Sequence, residues 1–206
     1  MNGTPSIAGS AGSAGSAVLT VVDAGTQPGS LASRLARWTA RRVADQAAAE
    51  GLALEMHHVV LAEIAVDVGY GLLDCAPRAG AARAVAAVER ADVLVAVSPV
   101  HNASYSALFK AFLDQVPRGT LAGVPTLMAL AGGSQRHGLV LDHVMRPYLA
   151  TLRALVVPTA IDAHRGDWLP HDMPSAALDA RIGQGALELV ALAGTASRLR
   201  RAATPA

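Results

Sequence analysis

Three short segments rich in small and hydroxyl residues each follow an apolar run, and each suits contact with an anionic, ring-bearing ligand. The first holds Gly25, Thr26, Gly29, Ser30 and Ser33. Small residues let backbone N–H groups approach an anion, hydroxyls add donors, and a following helix N-terminus favours negative charge. The segment has no Gly-x-Gly-x-x-Gly spacing, so the phosphate of a mononucleotide fits better than a dinucleotide fingerprint. The same residues also make an ordinary capped strand-to-helix turn with Ser30 as N-cap, and this loop alone does not separate the two readings. The second segment is Ser98-Pro99-Val100-His101-Asn102-Ala103-Ser104-Tyr105-Ser106. Its backbone can bond the polar edge of a flat ring system, with Pro99 and His101 flanking the ring face. The third is Ala131-Gly132-Gly133-Ser134-Gln135-Arg136-His137, where paired glycines permit close backbone approach.

Other chemistries are excluded or unsupported. The single lysine of the chain, Lys110, lies in Phe109-Lys110-Ala111, so no Walker A loop exists and a Schiff-base enzyme would have to use that residue. One cysteine, Cys75, excludes disulfides within the chain, Cys-x-x-Cys redox motifs and thiolate zinc sites, and fits a reducing cytoplasm. Its loop position suggests no special reactivity. A net charge of +1 with 16% charged residues gives no electrostatic footprint for nucleic acid. No run of about 18 apolar residues spans a membrane. His57 and His58 are adjacent in a strand and point to opposite faces, which disfavours a shared metal. Lys110 and Asp114 stand four apart on a helix and are expected to pair. Trp168 is read either as a cap over the site or, preferentially, as a packing anchor.

Apolar runs at 17–22, 54–61, 93–97, 125–131 and 156–163 read as strands alternating with helices. The strand at 93–97 is expected to stop at Ser98-Pro99. Helices are expected after Ser30, at 81–90, 104–116, 137–154 (bent or interrupted by Pro147) and 175–198, with 68–79 as a connection and 164–168 as a polar loop. Alternating elements imply a parallel sheet with helices on both faces. Five strands suit a flavodoxin-like, doubly wound α/β sheet of order 2-1-3-4-5, whose ligand lies beyond the carboxyl ends of the strands. Residues 1–16 read as a flexible small-residue leader, 17–198 as one domain and 199–206 as a frayed tail.

The stretch Ser98-Pro99-Val100-x-Asn102-Ala103-Ser104-Tyr105-Ser106-x-Leu108-Phe109-Lys110-x-Phe112-Leu113-Asp114 resembles the signature of NAD(P)H-dependent FMN reductases. Leu121-Ala122-Gly123-x-Pro125, Ala131-Gly132-Gly133-Ser134-x-x-His137, Arg146-Pro147 and Ala154-x-Val156-Val157-Pro158-Thr159 match downstream. The resemblance covers roughly residues 17–170 and is closest to the branch that supplies reduced flavin to two-component monooxygenases. It implies FMN phosphate against Gly25, Thr26, Gln27, Ser30, Ala32 and Ser33. The isoalloxazine would lie along Pro99, Val100, His101, Asn102 and Ala103, with Tyr105 close by. Ala131, Gly132, Gly133 and Ser134 would line its other edge. The chain departs from the family at Gln27, in a region where an arginine is common, at Ala32, where a hydroxyl is common, and at His101, where an aromatic is common. Asp23 adds an acid near the phosphate.

The resemblance further implies hydride transfer from nicotinamide to flavin N5 with no general base. It implies a homodimer or homotetramer, with Tyr105 either the candidate for a π-type insertion at the oligomer interface or a plain packing residue. Two other readings remain: a quinone, azo or metal-ion reductase with bound FMN, and a non-catalytic flavodoxin-like electron carrier. Seven aromatic residues in the whole chain argue against tight aromatic clamping of a flavin. They favour flavin as a transient substrate.

Overall fold

The computed structural model describes residues 16–73, 78–132 and 138–203, with side chains through Ala193. The leader before Ser16, Cys75, Gly133, Ser134 and the rest of 133–137 lie outside the described residues. The first strands are β1 (Ser16–Asp23) and β2 (Ala53–Val60), separated by α1 (Leu31–Ala49). After α2 (Ala65–Gly71) and α3 (Ala79–Glu89) come β3 (Val93–His101), the short β4 (Ser104–Tyr105) and α4 (Ala107–Leu113). β5 (Pro125–Ala131) leads to α5 (Gly138–Val140), a π-helical turn (Leu141–Met145) and α6 (Arg146–Thr151). The chain continues through β6 (Leu155–Val156), β7 (Ile161–Ala163) and α7 (Ala176–Ala203).

The sheet order is β2-β1-β3-β5-β6, and β7 also pairs with β5. All of these pairings are parallel. This is the flavodoxin-like order expected from the sequence, with β5 as its fourth strand and β6 and β7 as its fifth.

Strand alternation divides the core. Val93, Val95 and Val97 face α1 and α7, whereas Leu94 and Ala96 join Phe109, Phe112 and Met145 on the other side. Alanine makes close packing possible: α1 buries Ala32, Ala36, Ala40 and Ala47 along one stripe. On α7, a Cβ at Gly185 would come within 2.8 Å of Leu127 Cδ1.

Five local expectations are corrected. Residues 65–71 form α2, partly within the expected connection. Its two glycines disfavour a helix, but Val68 is fully buried and Asp67 Oδ2 accepts the Gly80 N–H at 2.8 Å. At Gly71 the missing side chain leaves room for Gln115, whose Nε2 donates to the Val68 carbonyl at 2.9 Å. Tertiary contacts override propensity here.

β3 does not stop at Ser98-Pro99 but runs to His101. Pro99 is tolerated because β1 ends at Asp23, opposite Val97, so Pro99 has no partner on that side. The expected helix at 104–116 begins only at Ala107. Residues 104–105 instead fold back on β3 as a hairpin, pairing Val100 with Tyr105 and His101 with Ser104. Ser98 Oγ accepts the Ser106 N–H at 2.9 Å, and Ser106 Oγ caps α4 by accepting the Phe109 N–H at 3.2 Å.

The π turn therefore falls on the helix after β5, and not at Tyr105. Pro147 has no N–H for the carbonyl of His143, and the Arg146 N–H reaches back to Leu141 O. Finally, the strand expected at 156–163 is split. Pro158 cannot donate to the ladder, and Arg146 binds the two carbonyls at the break, Val157 and Pro158, at 3.1 Å each.

The β3–β4 turn places two consecutive residues in the left-handed region, Asn102 at φ 48° and Ala103 at φ 58°. Asparagine tolerates this; alanine carries a cost of roughly 1–2 kcal/mol. Ala103→Gly removes that cost and adds roughly 0.5–1 kcal/mol of backbone entropy loss. The expected result is a net stabilisation of about 0.5 kcal/mol or more, read as a higher denaturation midpoint. An unchanged or lower midpoint would refute the strain.

Candidate flavin site

The three small-residue loops leave β1, β3 and β5, which are adjacent in the sheet, at their carboxyl ends. In the first, Thr26 to Gly29 are exposed, while Gly25, Ala32 and Ser33 are buried and Ser30 is half-buried. Ser30 Oγ accepts the Ser33 N–H at 3.2 Å, so the N-cap reading of Ser30 holds. The amides of the first helical turn, Leu31 and Ala32, have no preceding helical carbonyl to bond. Gln27 lies on the exposed rim, and its carbonyl accepts the Ser30 N–H at 3.1 Å.

Beneath this turn lies Asp23, 1% exposed. Its Oδ1 accepts the Gly25 N–H at 2.8 Å and the Ser33 hydroxyl at 3.1 Å. His58 Nε2 stands 3.7 Å from Oδ2. Burial pushes the Asp23 carboxyl upward, but hydrogen bonding from His58, Gly25 and Ser33 outweighs it and holds the group below its ordinary value. Asp23 is thus an internal brace for the turn. Ser33 spends its donor on Asp23, and Ser30 Oγ donates to Ser33 Oγ at 3.1 Å. Sequence reasoning missed His58; the signal was the parallel register, which sets His58 opposite Val21.

In the second loop His101, Asn102 and Ala103 are exposed at the hairpin tip, and Pro99 and Val100 are half-buried. Tyr105 turns toward the helices: its ring lies 5.1 Å from Tyr148 and 5.5 Å from Phe109, centroid to centroid. The expected Lys110–Asp114 pair is present at 2.6 Å, and Tyr148 joins it by donating its hydroxyl to Asp114 at 2.8 Å. Burial, then the adjacent Asp114, pushes the Tyr148 hydroxyl far above the ordinary phenol value, so it remains a donor. In the third loop Ala131 and Gly132 are buried, and the Gly132 N–H donates to Ala163 O at 2.9 Å.

Sequence reasoning also missed the wall beside the first loop. A groove of about 400 Å³ is lined by Gly29, Ser30, Leu31, Arg34, Arg165, Trp168 and Leu169. Residues 164–168 had read as a polar loop, with Trp168 as either a cap over the site or, preferentially, a packing anchor. Trp168 packs against the core and also lines this groove. No cluster of three or more metal-ligating side chains occurs among the described residues.

The family model for NADPH-dependent FMN reductase matches residues 18–166. The chain belongs to that family. As a member it is an NAD(P)H:flavin oxidoreductase, using FMN and a nicotinamide nucleotide. It is 37% identical over 155 residues to the NADH-dependent FMN reductase SfnE of Pseudomonas putida, covering 75% of this chain and 83% of that one. It is 32% identical to an NADPH FMN reductase of Pseudomonas aeruginosa, with the same coverage. Among solved structures, an oxidoreductase from Corynebacterium diphtheriae superposes with a TM-score of 0.82 at 33% identity, covering 89% of this chain and 99% of that one. The apo form of the NADH:FMN oxidoreductase EmoB shares the fold at 23% identity and a TM-score of 0.74, covering 85% and 89% of the two chains. No helix among the described residues is long and apolar enough to cross a membrane.

Two outcomes follow from the brace. A Cβ at Gly25 would strike Ser33 Oγ and lie 2.5 Å from Ser30 Oγ and 2.9 Å from Asp23 Oδ1. Gly25→Ala should therefore raise the apparent KM for FMN about tenfold or more with little change in kcat; steady-state kinetics with FMN varied would show it, and an unchanged KM would refute the assignment. The lowered Asp23 value means that its stabilisation is fully present above the unfolded value of 3.8 and is lost as pH falls through the lower folded value. Melting temperatures measured against pH should show this acid-limb loss in the wild type and a smaller loss in Asp23→Asn. Identical slopes would count against an ionised brace.

Proposed function

We propose that the chain transfers hydride from a nicotinamide nucleotide to FMN as a transient substrate and releases reduced flavin to a partner monooxygenase. The observation that carries the flavin reading is the convergence of three small-residue loops at the ends of three adjacent parallel strands. The phosphate meets the turn from Gly25 to Ser33: Thr26, Gln27 and Ser30 stand at its accessible rim, the amides at Ala32 and its neighbours supply positive potential, and Ser33 holds the turn through Asp23. The ring lies along Pro99, Val100, His101, Asn102 and Ala103. Ala131 and Gly132, continuing into Gly133 and Ser134, border its other edge.

Bound flavin supplies the redox chemistry, accepting hydride at N5. The chain's own work is positional. The hairpin tip offers backbone groups and the short side chain of Ala103, so one ring face stays open to nicotinamide. Tyr105, already engaged with Tyr148 and Phe109, packs behind the hairpin. No proton transfer by a side chain is required.

The exposed ring loop favours transient over permanent flavin, as does the scarcity of aromatics. Val66, Tyr70, Leu72 and Leu73 on and just after α2 are exposed apolar residues, 41–83% accessible, and support a homodimer or homotetramer. A cytoplasmic setting completes the reading.

The test is NADH and NADPH oxidation by purified protein with and without added FMN, FAD or riboflavin. Oxidation should depend on added flavin, and the protein should lose flavin on dilution. FMN retained stoichiometrically through purification would instead favour a quinone, azo or metal-ion reductase with bound cofactor. No flavin-dependent oxidation, together with no flavin-induced fluorescence quenching, would overturn the reading.

A further inference from the structure

Helix α1 carries a charge pattern that the flavin reading does not use. Arg34, Arg37, Trp38, Arg41 and Arg42 follow helical spacing and share its outer face, away from the buried alanine stripe. These arginines are four of the 17 lysine and arginine residues in a chain whose net charge is only +1. The helix holds no acid before Asp45. Two of the four are neutralised from outside it: Arg34 meets Asp172 at 2.8 Å and Arg42 meets Asp179 at 3.3 Å. Arg37 and Arg41 are exposed and have no acidic partner within 4 Å among the described residues. Trp38 follows Arg37 and is half-buried, with its Nε1 donating to the Asp172 carbonyl at 2.9 Å. The Arg41 guanidinium stands 5.6 Å from the centre of its ring. The indole donor is therefore spent, and what remains accessible of the ring is apolar. A groove of about 250 Å³ is lined by Arg34, Arg37, Trp38, Arg41 and Asp172. Leu169 and Met173, on either side of the short turn that carries Asp172, are 53% and 47% exposed.

We propose that this face of α1 docks an acidic segment of the protein that receives the reduced flavin. The occupant's chemistry follows from the groove. Two carboxylates about one helical turn apart would meet Arg37 and Arg41, and an apolar side chain between them would cover Trp38. Arginine and tryptophan are the residue types enriched among those that dominate protein–protein binding energy. Two free cations are few for a nucleic-acid backbone, where binding sums over many phosphates. The proposal rests on the reading above that a partner accepts the flavin, and the position of the face suits that role. Ser30 caps the same helix, and Arg37 lies about 10 Å further along its axis. A partner seated there stands beside the turn assigned to the flavin phosphate without covering it. Exposed opposite charges mainly speed encounter, which fits a contact that forms and breaks at each turnover.

The probe is a rhodamine-labelled helical peptide of glutamate, leucine and alanine, in which each leucine lies between glutamates one turn apart. Control peptides carry glutamine or lysine in place of glutamate. Anisotropy is read against the full chain, as wild type and as the double variant Arg37→Glu/Arg41→Glu, whose changed side chains are exposed and should not impair folding. The glutamate peptide should bind the wild type saturably, weaken with added salt, and lose about tenfold or more in affinity for the double variant. The lysine peptide should show the opposite preference. Both proteins should oxidise NADH and NADPH with added FMN at kcat and KM values within about twofold of each other. No binding of the glutamate peptide, or equal binding of the glutamine peptide, would overturn the proposal, and FMN-dependent oxidation in the same samples would leave the flavin reading standing. A KM raised for NADPH alone in the double variant would overturn it by assigning the arginines to the nicotinamide nucleotide. A smaller oligomer for the double variant in sedimentation velocity would overturn it in favour of a contact between copies of the chain. Tighter binding of a mixed-sequence RNA oligonucleotide than of the peptide would overturn it in favour of nucleic acid. A wild type without flavin-dependent oxidation would be a failure of the flavin reading, and with it of the partner named here, whatever the peptide does.

Discussion

The carboxylate of Asp23 is the interaction on which the candidate site depends. It sits at the last residue of β1, out of water, where an ionised acid survives only with several partners. Gly25, Ser33 and His58 supply them from three places: the turn, the first coil of α1 and the edge strand. One buried charge therefore fixes the direction in which the chain leaves the sheet and the angle at which α1 begins. Moving it would change the exposure of the Thr26–Gly29 rim and the aim of the helix N-terminus together. The acid at first seemed opposed to an anionic ligand. Its position below the turn, with its oxygens occupied, removes that conflict.

A second constraint is the way prolines cut the elements near the site. Pro99 lies where β3 outruns β1, Pro158 breaks the last strand and Pro147 forces a π turn. Each frees backbone groups that side chains or other peptides then bind. Arg146 at the π turn closes the break at Pro158, so two irregularities are tied into one unit. The sheet stays regular in its middle and becomes irregular at its last strand and at the β3–β4 hairpin.

Much of this was legible beforehand. Long apolar runs bounded by glycine and proline gave the strands, their order and the two-sided core, and the Ser30 cap was readable from its spacing. What escaped was non-local. The hairpin at Asn102-Ala103 violates turn preference, because alanine stands where glycine is usual, so a helix reading of residues 104–105 was natural. The 65–71 helix contains two glycines and depends on Gln115 and Gly80, far along the chain. His58 becomes a partner of Asp23 only through strand register. The Arg34–Arg165–Trp168 wall is assembled by a segment that returns over α1, and no local pattern announces it. The family block around Ser98 to Asp114 was legible as a motif, although its central residues serve a hairpin and a helix cap.

The Lys110–Asp114–Tyr148 cluster has a practical consequence. The chain has a single lysine, so it offers one ε-amine to acylating reagents apart from the α-amino group at its start. That amine lies 4.9 Å from the centre of the Tyr148 ring, at the surface of the aromatic group that backs the ring loop. A reporter dye or mass tag attached there would occupy one defined position behind the β3–β4 hairpin. The same residue makes the surface a poor target for lysine-directed crosslinkers, so mapping an assembly of this enzyme calls for carboxylate- or arginine-directed chemistry.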